Sequence, residues 1–218
     1  MSRKQQRTYK ESGFTIVELM IATLVFSVIL TIVTVGVISF SNRYYKGVNA
    51  SATQTVARTI METITQAIQF GSASVQPPAG NNFFCAGGSV FMFDTNGAMF
   101  TGATGQRGVY VDSQDATCVN QALSGGKQLL AKRMRIASLT VAPVSSVPNM
   151  YQVSVVVAYG DDDVLCAPSL PQGCDPSAVY ATANFWNRPD IACKPGSGNQ
   201  YCAVSRLTAN VQKRVVPS

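Results

Sequence analysis

Gly13-Phe14-Thr15-Ile16-Val17-Glu18-Leu19 is the stretch on which the reading of this chain turns. Before it lies a short leader, residues 1–13, in which Arg3, Lys4, Arg7 and Lys10 are set against Glu11 alone, a net charge of +3. After it the chain is apolar from Phe14 to Phe40, 27 residues whose only charge is Glu18. A helix of that length measures about 40 Å. That is enough to cross a hydrocarbon core of about 30 Å with some tilt. Basic residues ahead of such a span put the leader in the cytoplasm and the rest of the chain outside. A carboxylate inside an apolar segment costs ~2.5–3.5 kcal/mol at a helix centre, so Glu18 reads as a functional residue.

An ordinary secretory signal has a small-residue cleavage site behind its apolar region. No Ala-x-Ala site follows closely here. The expected cut lies ahead of the run, between Gly13 and Phe14, and leaves the span on the mature chain. The new amine of Phe14 then stands one helical turn from Glu18. An ammonium near a carboxylate offsets part of its desolvation cost.

These residues resemble the class III signal of type IV pilins and pseudopilins: Gly, then Phe or another apolar residue, Thr or Ser, an aliphatic pair, and Glu. Gly13, Phe14, Thr15, Ile16, Val17 and Glu18 match in order, with Ile16 where Leu is common. The resemblance implies that prepilin peptidase cuts after Gly13 and N-methylates Phe14. It implies that Glu18 pairs with the Phe14 amine of a neighbouring subunit during assembly. A second reading has the Glu18 carboxyl snorkelling to the cytoplasmic headgroups, which suits the subunit before assembly. The implied partners are other pilin subunits, the peptidase, an inner-membrane assembly platform and, before assembly, membrane lipid. The implied location is a single-pass cytoplasmic membrane precursor, then an extracellular filament. Many major pilins carry a helix-breaking Pro partway along the span. Here Val35 and Gly36 stand near that place and the first Pro is Pro77, which favours a minor pilin or pseudopilin.

Composition narrows the remaining classes. The net charge of +6 includes the leader's +3, so the mature chain is only mildly basic and carries no nucleic-acid footprint. All six cysteines, Cys85, Cys118, Cys166, Cys174, Cys193 and Cys202, lie beyond the span. An even number in an exported domain suggests a disulfide framework. Six cysteines allow about 15 connectivities. Closeness in sequence favours Cys85–Cys118, Cys166–Cys174 and Cys193–Cys202. Metal binding has weak support, with no Cys-x-x-Cys and no His anywhere. The missing His also rules out a Ser-His-Asp or Cys-His arrangement. No enzymatic constellation and no cofactor motif is evident. An exported hydrolase built on carboxylates, or a tip-located adhesion or DNA-uptake module, are the readings from other classes.

Along the chain, Val48, Ala52, Val56, Ile60, Ile64, Ala67 and Ile68 form a stripe of helical period with Ser, Thr, Gln and Arg between. Residues 41–70 are therefore expected to continue the apolar helix of 14–40 as an amphipathic one. Gly71, with Ser-Ala-Ser and Pro77-Pro78 beyond, stops it. A break near Gly47 is the alternative. Residues 71–218 then read as an exported β-rich head. Candidate strands are Gly88–Phe93, Gly108–Asp112, Gln128–Ala142, Tyr151–Tyr159 and Tyr201–Val211, with 134–142, 151–159 and 201–211 at the centre. The fold class is α+β: a long N-terminal helix packed on an antiparallel sheet and stapled by disulfides. Two stretches read as irregular, 71–87 and the cysteine-rich loop 160–200. A loop that long needs staples or a function.

Four motifs stand apart from this plan. Asp161-Asp162-Asp163, with Asp175 and Asp190 near, reads as a solvated turn before a Ca²⁺ site, since its spacing matches no EF-hand loop. Phe185-Trp186-Asn187-Arg188-Pro189 is either an exposed contact patch or a plug that holds the loop on the sheet; the plug is preferred. Lys132, Arg133 and Arg135, with Lys213 and Arg214, lie either on the wet face of a sheet or against DNA phosphates. Gly102-Ala103-Thr104-Gly105 lacks the Lys of a phosphate loop and reads as a turn.

Overall fold

The computed structural model describes residues 13–71, 75–76, 82–103, 106, 108–112, 118, 126–196 and 198–214. The leader charges, the Ser-Ala-Ser and Pro77-Pro78 stop signals and Thr104-Gly105 lie outside these residues. The chain divides into two compact units, Met1–Asn42 and Arg43–Ser218. One helix, α1, runs from Ile16 to Phe70 without interruption at Gly36 or Gly47.

In the first unit every residue from Gly13 to Phe40 is exposed. Four of its hydroxyls are nonetheless satisfied. The hydroxyls of Thr23, Ser27, Thr31 and Thr34 donate to the carbonyls of Met20, Thr23, Ser27 and Leu30 at 3.0, 2.8, 2.9 and 2.7 Å. Hydroxyls bonded back to their own helix present no unpaired donor to a surrounding hydrocarbon. By length and composition α1 can cross a membrane.

In the second unit α1 supplies Thr53, Ala57, Ile60, Met61, Ile64 and Ile68 to the core. Ile60, Ile64 and Ile68 sit where the apolar stripe places them. Val48 and Ala52 do not: both are exposed, and the core face begins at Thr53, whose hydroxyl donates to the Asn49 carbonyl at 2.7 Å. The stripe counts apolar residues, whereas a threonine whose hydroxyl is bonded is as buriable as a valine of similar volume.

Four antiparallel strands form one sheet in chain order: β1 (Phe83–Ala86), β2 (Ser89–Phe93), β3 (Val109–Asp112) and β4 (Lys127–Gln128). Three long ones form another, in the order β5 (Met134–Pro143), β6 (Met150–Tyr159) and β9 (Ala203–Gln212). A small third sheet pairs β7 (Leu165–Cys166) with β8 (Ala192–Cys193). The three segments expected at the centre are thus the central sheet, but the strands divide among three sheets rather than one. Strand β1 also falls in the stretch read as an irregular link, and two strands and two short 3-10 turns fall in the stretch read as a loop.

The main core joins α1 to the inner faces of both larger sheets, through residues such as Ile60, Ile64, Phe91, Phe93, Val155 and Val157. A second core lies on the other face of the central sheet, where Ala137, Val156 and Ala158 meet Leu165, Tyr180, Phe185 and Ile191 of the cysteine-rich segment. At the end of α1, Gly71 passes the Gly87 turn so closely that a Cβ on Gly71 would stand 1.8 Å from the Gly87 Cα. Only two glycines permit that crossing of helix end and hairpin turn.

Candidate functional site

Gly13, Phe14 and Thr15 precede the helix, and Phe14 is 86 % exposed. Thr15 caps it. The backbone N–H and the hydroxyl of Thr15 both donate to Glu18 Oε2 at 2.9 Å. In return, the Glu18 N–H donates to the Thr15 hydroxyl at 3.3 Å. This reciprocal pattern is a capping box, which satisfies helix-start donors that would otherwise lack partners. Glu18 therefore lies in the first turn of α1, where the helix dipole favours an anion, and not at a helix centre. The cost assigned to it from sequence is an upper bound for that reason. The Thr-x-x-Glu spacing of Thr15 and Glu18 carries this cap in the sequence, and the sequence reading passed over it. Both donors to the carboxylate belong to Thr15, on the retained side of a Gly13–Phe14 cut. Both bonds end on the same oxygen, and Oε1 takes neither.

Residues 8–34 match the family model for the prokaryotic N-terminal methylation motif. This motif is the class III signal found in type IV pilins. No curated protein and no solved structure matches the chain. The signal implies processing by prepilin peptidase and assembly with other pilins. It points to a structural subunit, first anchored in a membrane and then part of a filament.

The second unit holds the other sequence motifs, and there the basic and acidic ones meet. Arg133 and Asp161 form an exposed ion pair at 2.7 Å. Arg135 is fully buried and pairs with Asp162. Its guanidinium also donates to the carbonyls of Gly97 and Gly160 at 3.0 and 3.1 Å and lies 4.9 Å from the centre of the Phe185 ring. The Thr182 hydroxyl donates to Asp162 as well. One arginine thus ties together the turn after β2, the end of β6 and the 3-10 turn at Thr182–Phe185. Neither sequence reading of the basic cluster anticipates this: Arg135 and Lys213 are buried, so the five cations make no single wet face and no single DNA-facing stripe. Arg214 lies 5.7 Å from the Phe70 ring centre.

Asp175 and Asp190 are also engaged. Asp175 accepts from the hydroxyl and N–H of Ser177 at 2.7 and 2.8 Å, and these bonds hold its carboxyl below the usual range. Partial burial would raise the Asp190 carboxyl, but hydrogen bonds from Ser169 (its N–H at 2.7 Å) and the nearby Arg188 charge outweigh it and leave the group lowered. Among the described residues no group of three or more His, Cys, Asp and Glu is placed to hold a metal ion.

The structure contains the pairs Cys85–Cys118, Cys166–Cys174 and Cys193–Cys202. Two of them bracket the β7–β8 sheet. Trp186 is half-buried with its ring centre 5.6 Å from that of Phe93, which makes it the plug between cysteine-rich segment and sheet. Lys194 is buried too, donating to the Ala178 carbonyl at 2.6 Å over the Tyr180 ring.

Proposed function

We propose that this chain is a structural subunit, and a minor one, of a type IV pilus or a related filament. The observation that carries the reading is the N-terminal constellation: a methylation motif, an exposed Gly13–Phe14 bond outside the helix, and a capped Glu18 as the only acid of an apolar helix start. Prepilin peptidase cuts between Gly13 and Phe14 and methylates the Phe14 amine. The leader, residues 1–13, stays in the cytoplasm; residues 14–40 wait in the bilayer and later form filament core. Residues 41–70 carry the head, 71–218, on the outer side.

The assembly step follows from charge. A bilayer and a bundle of apolar helices are similar surroundings for residues such as Leu24 and Ile29, so transfer between them is nearly neutral for the run. Glu18 differs. In a dry filament core its carboxylate requires a cation, and the Phe14 amine of a neighbouring subunit supplies one to the oxygen that Thr15 leaves open. That single pairing fixes the axial register of the incoming subunit.

The absence of Pro before Pro77 and the large cysteine-rich insert support a minor subunit. A pseudopilin of a secretion system is the alternative within the family.

The test is the N-terminus of the mature protein, read by mass spectrometry from cells that hold the peptidase. N-methyl-Phe14 is expected. An intact Met1, or a cut beyond residue 40, overturns the reading. In the same cells Glu18→Ala is expected to leave processing intact and to abolish incorporation into sheared filaments.

A further inference from the structure

The apolar run ends at Phe40, and two residues later the chain reads Arg43-Tyr44-Tyr45-Lys46. All four are on the surface of α1, and Tyr44 and Tyr45 are 60 % and 47 % exposed. Their rings meet edge to face at 6.1 Å between centres. The fold brings a third tyrosine to them from far along the chain. Tyr201 is 46 % exposed and lies 6.1 Å from Tyr45. Its position is fixed from both sides: the Asn49 side-chain amide donates to the Gln200 carbonyl at 2.9 Å, and Cys202 is bonded to Cys193. A half-exposed cluster of three phenols is unusual packing for a domain surface.

Charge narrows what can cover it. From Leu19 to Met61 there is no acidic residue, while Arg43, Lys46 and Arg58 are all cationic. The covering partner is therefore anionic or neutral, and amphipathic enough to take a phenol ring side-on. The headgroup layer of a bilayer meets both conditions. Tyr rings settle there with the ring toward the acyl chains and the hydroxyl toward water. A cation beside an anionic lipid surface is drawn to it. The position immediately after a segment able to span the bilayer puts the cluster at that depth.

We propose that Arg43, Tyr44, Tyr45 and Lys46, joined by Tyr201, form a collar that binds the lipid headgroup layer at the outer end of the span in the unassembled subunit. The collar rests on the membrane-precursor reading above. It fixes the depth of the helix, so that it neither slides inward nor tilts freely. It also adds a release step to assembly, since these contacts must break when the subunit leaves the bilayer.

The test uses the full-length precursor in vesicles of phosphatidylethanolamine and phosphatidylglycerol. The chain's single Trp is removed by Trp186→Phe, and one probe is introduced at a time: Tyr44→Trp, Tyr201→Trp or, within the span, Val33→Trp. Lipids brominated near the glycerol or near the chain end report depth by quenching. The collar predicts stronger quenching of the first two probes by the shallow bromines and of the third by the deep ones. If the Val33→Trp probe is quenched while the Tyr44→Trp probe responds only to aqueous iodide, the collar fails and the membrane reading stands. If the Tyr44→Trp probe is quenched most by deep bromines, the collar also fails. If no probe is quenched by lipid, both readings fail. A Tyr201→Trp probe untouched by lipid removes the loop from the collar.

Discussion

Arg133 and Arg135 stand two positions apart and contribute to stability in different ways. Arg133 and Asp161 are each about half exposed, and an exposed pair is worth ~0–1 kcal/mol. Arg135 is wholly buried, and its loss leaves two carbonyls and a carboxylate without their donor. Asp162 is 37 % exposed and keeps the Thr182 hydroxyl, but a buried carbonyl left without its donor costs about 1–3 kcal/mol. Chemical denaturation of the purified protein is expected to show that range for Arg135→Ala and less than about 1 kcal/mol for Arg133→Ala. Acid tests a second residue. The Asp190 carboxyl is lowered in the fold, so its contribution is complete above the ordinary carboxylate range and disappears as pH falls through the folded value. Asp190→Asn should therefore destabilise near neutrality, and its gap from the parent protein should close at acid pH. The capping box was legible in Thr15 and Glu18 because it is local. The burial of Arg135 was not, because every one of its partners is more than twenty residues away in sequence.

The elements show the same limit. Strand β6 was legible from its run of valines, and β9 from its alternation. Strand β5 is harder: Met134 to Leu139 are all buried, with a bulge between Ile136 and Ser138. A strand covered on both faces loses the alternation from which strands are read. Here α1 covers one face and the cysteine-rich segment the other. The strands β7 and β8 have two residues each, too short to carry any period. Helix α1 was read almost to its ends, and its three glycine neighbourhoods differ in ways only the fold reveals. Gly47 has open space where a Cβ would go, whereas Gly71 has backbone at 1.8 Å. In the same denaturation assay Gly47→Ala is expected to stabilise by about 0.5–1 kcal/mol through helix propensity. Gly71→Ala is expected to destabilise, because the Gly87 turn must move away from the helix end.

For the molecule as a whole, three disulfides bear unequal loads. Cys85–Cys118 closes a separation of 33 residues, against 8 and 9 for the other two. By chain entropy the long bridge is worth about 3.7 kcal/mol and each short one about 2.5 kcal/mol. Paired Cys→Ser substitutions should rank in that order in unfolding experiments under oxidising conditions. The short bridges have another part to play, because they lie in the segment inserted between β6 and β9. Tyr159 and Ala203, which flank that segment, are direct register partners in the central sheet. The insert is thus a detour that returns to its point of departure, held by the sheet at its entrance, at its exit and along its underside. The fold tolerates changes in its length and outer sequence, provided that it keeps a greasy underside for Ala137, Val156 and Ala158 and an acid to receive Arg135. A surface that can be exchanged like a cartridge, on a scaffold that does not change, lets a molecule alter what it displays without relearning how to fold.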